Sequence, residues 1–178
     1  MLNKQAIVKQ LEQVGLGQYG HAIANWAYPT AQLFLEPVSD TMIPIGESKV
    51  GGNPDLTDDM EWPLWKDYDM TFIAQINLAD CPVNMSLPQE GLLSFFYAAK
   101  AMYEDDDFYN DPHTCRVIYI DSERLSNISR RINPNHLTDS EIMKPNKILY
   151  EEGISLPTAE SAYLKSLGLG WNGNRDQY

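Results

Sequence analysis

The sequence predicts an α+β fold in which N-terminal helices pack on a mainly antiparallel β-sheet. Three observations carry this. Residues 2–16 place apolar side chains at helical spacing, strong strand patterns occupy residues 70–78, 91–98 and 115–121, and 43% of the 178 residues are hydrophobic. That length is one ordinary domain, at roughly 100–200 residues each, and residues 1–178 are read as one. The apolar content is enough for a core and too high for a wholly disordered chain.

Leu2 to Leu16 reads as a helix because Ala6, Ile7, Leu11 and Val14 share a face. Asn3 is placed to cap its start, and Gly15 and Gly17 mark its end. Tyr19, Ile23 and Trp26 line up at helical spacing before Pro29, which predicts a second helix over Tyr19 to Ala27. Ala31 to Val38 alternates like a strand, with Pro37 at its end or on an edge. Asp40 to Asp69 is rich in loop residues, and so long a loop in a small domain is functional or disordered. Trp62 and Trp65 argue against disorder, because each offers a large apolar area for packing.

Met70 to Leu78 is the first strong strand, with Phe72, Ala74, Ile76 and Leu78 on one face and Thr71, Ile73, Gln75 and Asn77 on the other. Gly91 to Ala98 is the second, and its near-continuous apolar run predicts burial on both faces. Cys115 to Asp121 is the third, with Val117 and Tyr119 on one face. Lys147 to Pro157 reads as a strand interrupted at Gly153. Thr158 opens a last helix with Ala162, Tyr163 and Leu167 facing inward, and the tail from Trp171 is expected to fray. The expected core is Ile7, Leu11, Phe72, Ile76, Leu93, Phe95, Val117 and Tyr119.

The formal net charge of −12 repels phosphate backbones, which disfavours nucleic acid and anionic membrane as partners and favours basic ones. From Glu36 to Asp69 nine acids face only Lys49 and Lys66, whereas Arg116 to Lys147 carries six bases against four acids. This reversal is expected to be a solvated face rather than intramolecular attraction. Glu104, Asp105, Asp106, Asp107 and Asp111 form a second acidic cluster, read as an exposed loop and the natural surface for a partner. Cys81 and Cys115 make no disulfide framework or redox motif, which fits a reducing cytoplasm. No run of about 18 apolar residues spans a membrane, and residues 1–10 lack the pattern of a secretory signal.

Motifs for known chemistry are missing. There is no nucleophile elbow, phosphate-binding glycine loop or dinucleotide fingerprint. His21, His113 and His136 are too widely separated for metal-ligand spacing, and Asp105 to Asp107 lack the alternation, glycine and glutamate of a calcium loop. No catalytic residue, metal or cofactor is therefore assigned. The most specific stretch is Ser48 to Leu56 followed by Glu61, Trp62 and Pro63. Gly51 and Gly52 permit positive φ or close backbone approach, and Pro54 holds Asn53 extended. Gln75, if buried, needs partners for its amide, and the glycine loop is the nearest source. Gly51, Gly52, Asn53, Asp55, Trp62 and Gln75 are the candidate ligand-binding residues. The alternative is a loop pinned across the sheet by tryptophan.

Four blocks carry a resemblance: Lys49 to Leu56, Trp62-Pro63, Met70 to Leu78, and Leu87 to Tyr97. In order and spacing they resemble the YwqG-like family, a bacterial group also called DUF1963, a domain of unknown function. The resemblance is clear over residues 45–121 and implies an α+β protein with antiparallel sheets and no established enzymatic chemistry. It also implies a longer chain, so that this one would lack the family's C-terminal half and expose a sheet edge or apolar face to a partner or a second copy. Some relatives lie near bacterial toxin systems, which implies an immunity-like role. The leading expectation is a cytoplasmic, non-enzymatic binding or interaction module. The alternatives are a small-molecule binder or enzyme built on the candidate residues, and a remnant of a longer protein.

Overall fold

The computed structural model describes residues 3–83 and 86–171. The chain divides into two compact units, Met1–Gln32 with Glu152–Tyr178, and Leu33–Glu151.

The first unit is helical. Asn3 Oδ1 accepts from the Ala6 N–H at 3.1 Å and starts α1 (Lys4–Gln13), as its position predicts. Ile7 and Leu11 are buried on its inner face. Helix α2 (Gly20–Trp26) buries Ile23 and Ala24. The last helix among the described residues, α4, is Ala162–Ser166, capped by Ser161 rather than begun at Thr158. Leu164 and Leu169 complete this core with Leu167 packed against it, whereas Ala162 and Tyr163 are exposed and Tyr163 stacks on Trp26 at 4.7 Å. The expected frayed tail lies outside the described residues beyond Trp171.

The second unit is built on β-structure. Among the described residues ten strands run in chain order: β1 (Tyr28–Pro37), β2 (Lys49–Val50), β3 (Asp55–Thr57), β4 (Leu64–Trp65), β5 (Tyr68–Asp69), β6 (Thr71–Asn77), β7 (Leu92–Tyr97), β8 (Cys115–Ile120), β9 (Ile128–Arg130) and β10 (Asn146–Ser155). The main sheet has the order β1-β10-β2-β6-β7-β8. From β10 through β8 every pairing is antiparallel. β3 with β9, and β4 with β5, form two small ribbons. Four of these short strands lie in the Asp40–Asp69 stretch, which is ordered by pairing and not only by its tryptophans. Helix α3 (Ala101–Glu104) follows β7.

The faces of the sheet differ from the expected ones. A bulge interrupts β6, where the register shifts between Phe72 and Ala74. Phe72 lies opposite Phe96, but Ala74 lies opposite Phe95, so Ile73 is the extra residue. An inserted residue reverses the parity of everything after it. Gln75 and Asn77 therefore join Phe72 on the inner face, opposite Ser94 and Leu92. The buried core holds Phe72, Leu92, Phe96 and Ile120 with Leu56, Trp65, Met70 and Phe108. The expected core residues Ile76, Leu93 and Phe95 are only half-buried on the outer face, and Val117 and Tyr119 beside them are 53% and 43% exposed. β7 is accordingly buried on one face and not on both.

Candidate functional site

Five of the six candidate residues meet in one polar cluster. The Gln75 side chain, turned inward by the bulge, accepts from the Asp55 N–H at 2.9 Å. It donates to Glu47 O at 2.8 Å and to Asp55 Oδ2 at 2.6 Å. Asp55 is fully buried, and its carboxylate also accepts from the Gly46 N–H at 2.9 Å and from Arg130 Nε at 2.9 Å. The remaining Arg130 donors reach backbone oxygens of Asp40, Ile43 and Pro44.

Lys49 stands beside Gln75 across the β2–β6 pair, its side chain 0% exposed. Its Nζ donates to Asp40 Oδ1 at 3.0 Å and to Asn53 O. Burial pushes the Lys49 ammonium below its ordinary value, and the charges of Asp55 and Asp40 only partly restore it. Burial pushes the Asp40 carboxyl upward, but hydrogen bonds from Lys49 and Asn53 and the charges of Lys49 and Arg130 outweigh it and leave it below its ordinary value. Asn53 Oδ1 accepts from the Asn133 N–H at 3.0 Å, and the Asn133 amide donates to Gly52 O at 3.1 Å.

Gly51 and Gly52 are required by space as well as by conformation. Both have positive φ, at +69° and +74°. A Cβ at Gly51 would lie 2.4 Å from Lys144 O, and one at Gly52 would lie 2.4 Å from Asp40 Oδ1. Backbone bonds run from Gly51 N to Ile73 O at 2.8 Å and from Gly52 N to Met143 O at 2.9 Å. The glycine pair thus ties the bulge of β6 to the segment leading into β10.

Trp62 belongs elsewhere. Its indole donates to Met70 O at 2.9 Å, and its ring meets Phe96 edge-on at 5.6 Å. Asp40, Lys49, Arg130 and Asn133 complete the cluster and were not among the candidates. The charge reversal between residues 36–69 and 116–147 was their signal. It yields part-buried ion pairs from Arg130 to Asp55 and Asp40, and solvent-exposed ones from Arg124 to Asp59 and from Lys147 to Glu47. Chemically, the cluster has its donors and acceptors committed to one another, which suits a latch between loops.

The second acidic cluster is also partly engaged. Lys66 Nζ bonds Asp105 and Asp107, each at 2.9 Å. Asp111 accepts from the Trp65 indole at 2.9 Å and from the His113 N–H at 2.8 Å. The hydrogen bond from Lys66 is the main reason the Asp105 carboxyl sits below its ordinary value. Among the described residues no three His, Cys, Asp or Glu side chains converge to hold a metal ion.

Open space lies beyond the latch. A cavity of about 600 Å³ is bounded by the β6 bulge, the start of α3 and residues 138–143. Ile73, Lys100, Tyr103, Glu104, Glu141 and Met143 line it. The bulge supplies Ile73, and the Gly52–Met143 bond holds the opposite wall.

No helix among the described residues is long and apolar enough to cross a membrane. No curated protein matches the chain. The family model of DUF1963, described as a domain of unknown function, matches residues 48–176. That span takes in the glycine pair, the bulged strand, the cavity and the latch residues from Lys49 onward, and it runs past the four blocks through β10 and α4. The chain belongs to the DUF1963 family.

Proposed function

We propose that the chain is a cytoplasmic, non-enzymatic interaction module that binds a protein partner or a second copy of itself along β8 and the apolar face beside it. One observation carries the reading: β8 ends the sheet, and its outward neighbours are apolar and exposed. Val117 lies beside Phe95, and Tyr119 beside Leu93. Among the described residues, the backbone of 116–120 bonds nothing outside its pairing with β7. An apolar edge whose one charge, Arg116, lies near its start accepts another strand. The other end of the sheet differs. β1 also exposes Leu33, Phe34 and Leu35, but Pro29 and Pro37 bracket them and interrupt the row of donors. The charge of −12 would speed encounter with a basic partner, and an immunity-like role toward a basic toxin is one form of this reading.

Light scattering and thermal unfolding of the purified chain, with and without Val117→Lys, test it. The expected result is a dimer, or a captured partner, that V117K abolishes while the cooperative melt persists. A wild-type monomer at all concentrations whose captured proteins are unaltered by V117K overturns the reading. A gradual melt of the wild-type chain favours the remnant reading instead.

A further inference from the structure

We propose that the cavity between the β6 bulge, α3 and residues 138–143 binds a small zwitterion with an apolar body, the chemistry of a free amino acid or dipeptide. The argument begins with a split charge pair. Glu141 Oε2 is pinned by the Thr138 N–H and Oγ1, both at 2.7 Å. Its carboxylate is therefore held in place before any ligand arrives. Lys100 lines the same cavity, yet its ammonium makes no hydrogen bond or ion pair among the described residues. The two are near enough that the charge of Lys100 acts on Glu141, although burial and the bonds from Thr138 act on it more strongly. Opposite charges that line one cavity without contact leave room for a ligand carrying the complementary pair.

The remaining lining fits the same chemistry. Glu104 adds a second carboxylate, so an ammonium is matched by two acids and a carboxylate by one lysine. Ile73, Ala99 and Met143 provide an apolar surface for a side chain. The floor holds a further polar atom, since Thr71 is 3% exposed and its Oγ1 has no hydrogen-bond partner. The volume of about 600 Å³ lies in the range of small-ligand sites and is too small for a folded partner.

Titration of the full chain with L-leucyl-L-leucine, followed by calorimetry and amide chemical shifts, tests the inference. N-acetyl-leucine and leucinamide serve as controls carrying one charge each. Saturable shifts around Ile73, Lys100 and Tyr103 are expected, with each control weaker by about tenfold. Lys100→Ala and Glu104→Gln should each weaken the dipeptide, Lys100→Ala by about tenfold, without altering the melt. No saturable shift at millimolar dipeptide overturns the site. Equal binding of N-acetyl-leucine overturns the zwitterion and leaves only an anion site.

Discussion

Arg130 and Lys66 each grip two aspartates, the first at Asp55 and Asp40, the second at Asp105 and Asp107. The chemistry is alike and the surroundings are opposite. Asp55 is fully buried and the Arg130 side chain 18% exposed, whereas Lys66 is 40% and Asp107 76% exposed. Water can replace Lys66 at Asp107 at little expense, because an exposed charge is solvated either way. It cannot replace Arg130 at Asp55, where the carboxylate would remain buried with one charged partner fewer. The buried cluster also joins β2, the glycine loop, β3, β6 and β9, so its loss loosens them together. Lys66 only fastens the acidic loop to the Trp65 turn, where it also lies over the indole at 4.6 Å.

Arg130→Met should show the larger effect. Removing one partner of a buried pair costs about 3 kcal/mol or more, read as a lower midpoint in urea unfolding. Acid should act next. The Asp40 carboxyl is held below its ordinary 3.8, so its contribution is present above that pH and lost as pH falls through the folded value. Stability should therefore fall steeply below about pH 4, and less steeply in Asp40→Asn, whose melting would be compared across the same range. Asp105→Asn should leave the melting temperature unchanged at neutral pH, despite the short bonds to Lys66. Equal losses from R130M and D105N would break the comparison, because exposure would then not govern what these ion pairs contribute. A still larger loss from Lys49→Met than from R130M would sharpen it, placing the centre of the latch at the most deeply buried charge.

Much of this molecule was legible in its residues. Helical spacing located α1 and α2, and Asn3 was recognisable as a cap because its short side chain can reach a free N–H of the first turn. The three strong strands appear as β6, β7 and β8 within a residue or two of their expected bounds. The glycine pair was marked by local stereochemistry, and the need of Gln75 for partners followed from burial of an amide. These signals are short-range, acting within a turn or a strand.

What escaped depended on contacts between distant segments. The bulge at Ile73 has no local signature, yet it turned Gln75 toward Asp55. Trp62 sits only seven residues beyond Asp55, but β4, β5 and the bond to Met70 send it into the apolar core. Arg130 lies 75 residues from Asp55, and only the β3–β9 pairing brings them within 2.9 Å. The sequence by itself determined the α+β class, the helices, the main strands and the family, because periodicity, capping and backbone stereochemistry act locally. Tertiary structure alone decided which sheet face is buried, which charges meet and where a cavity opens, because each depends on register and on segments that only folding brings together.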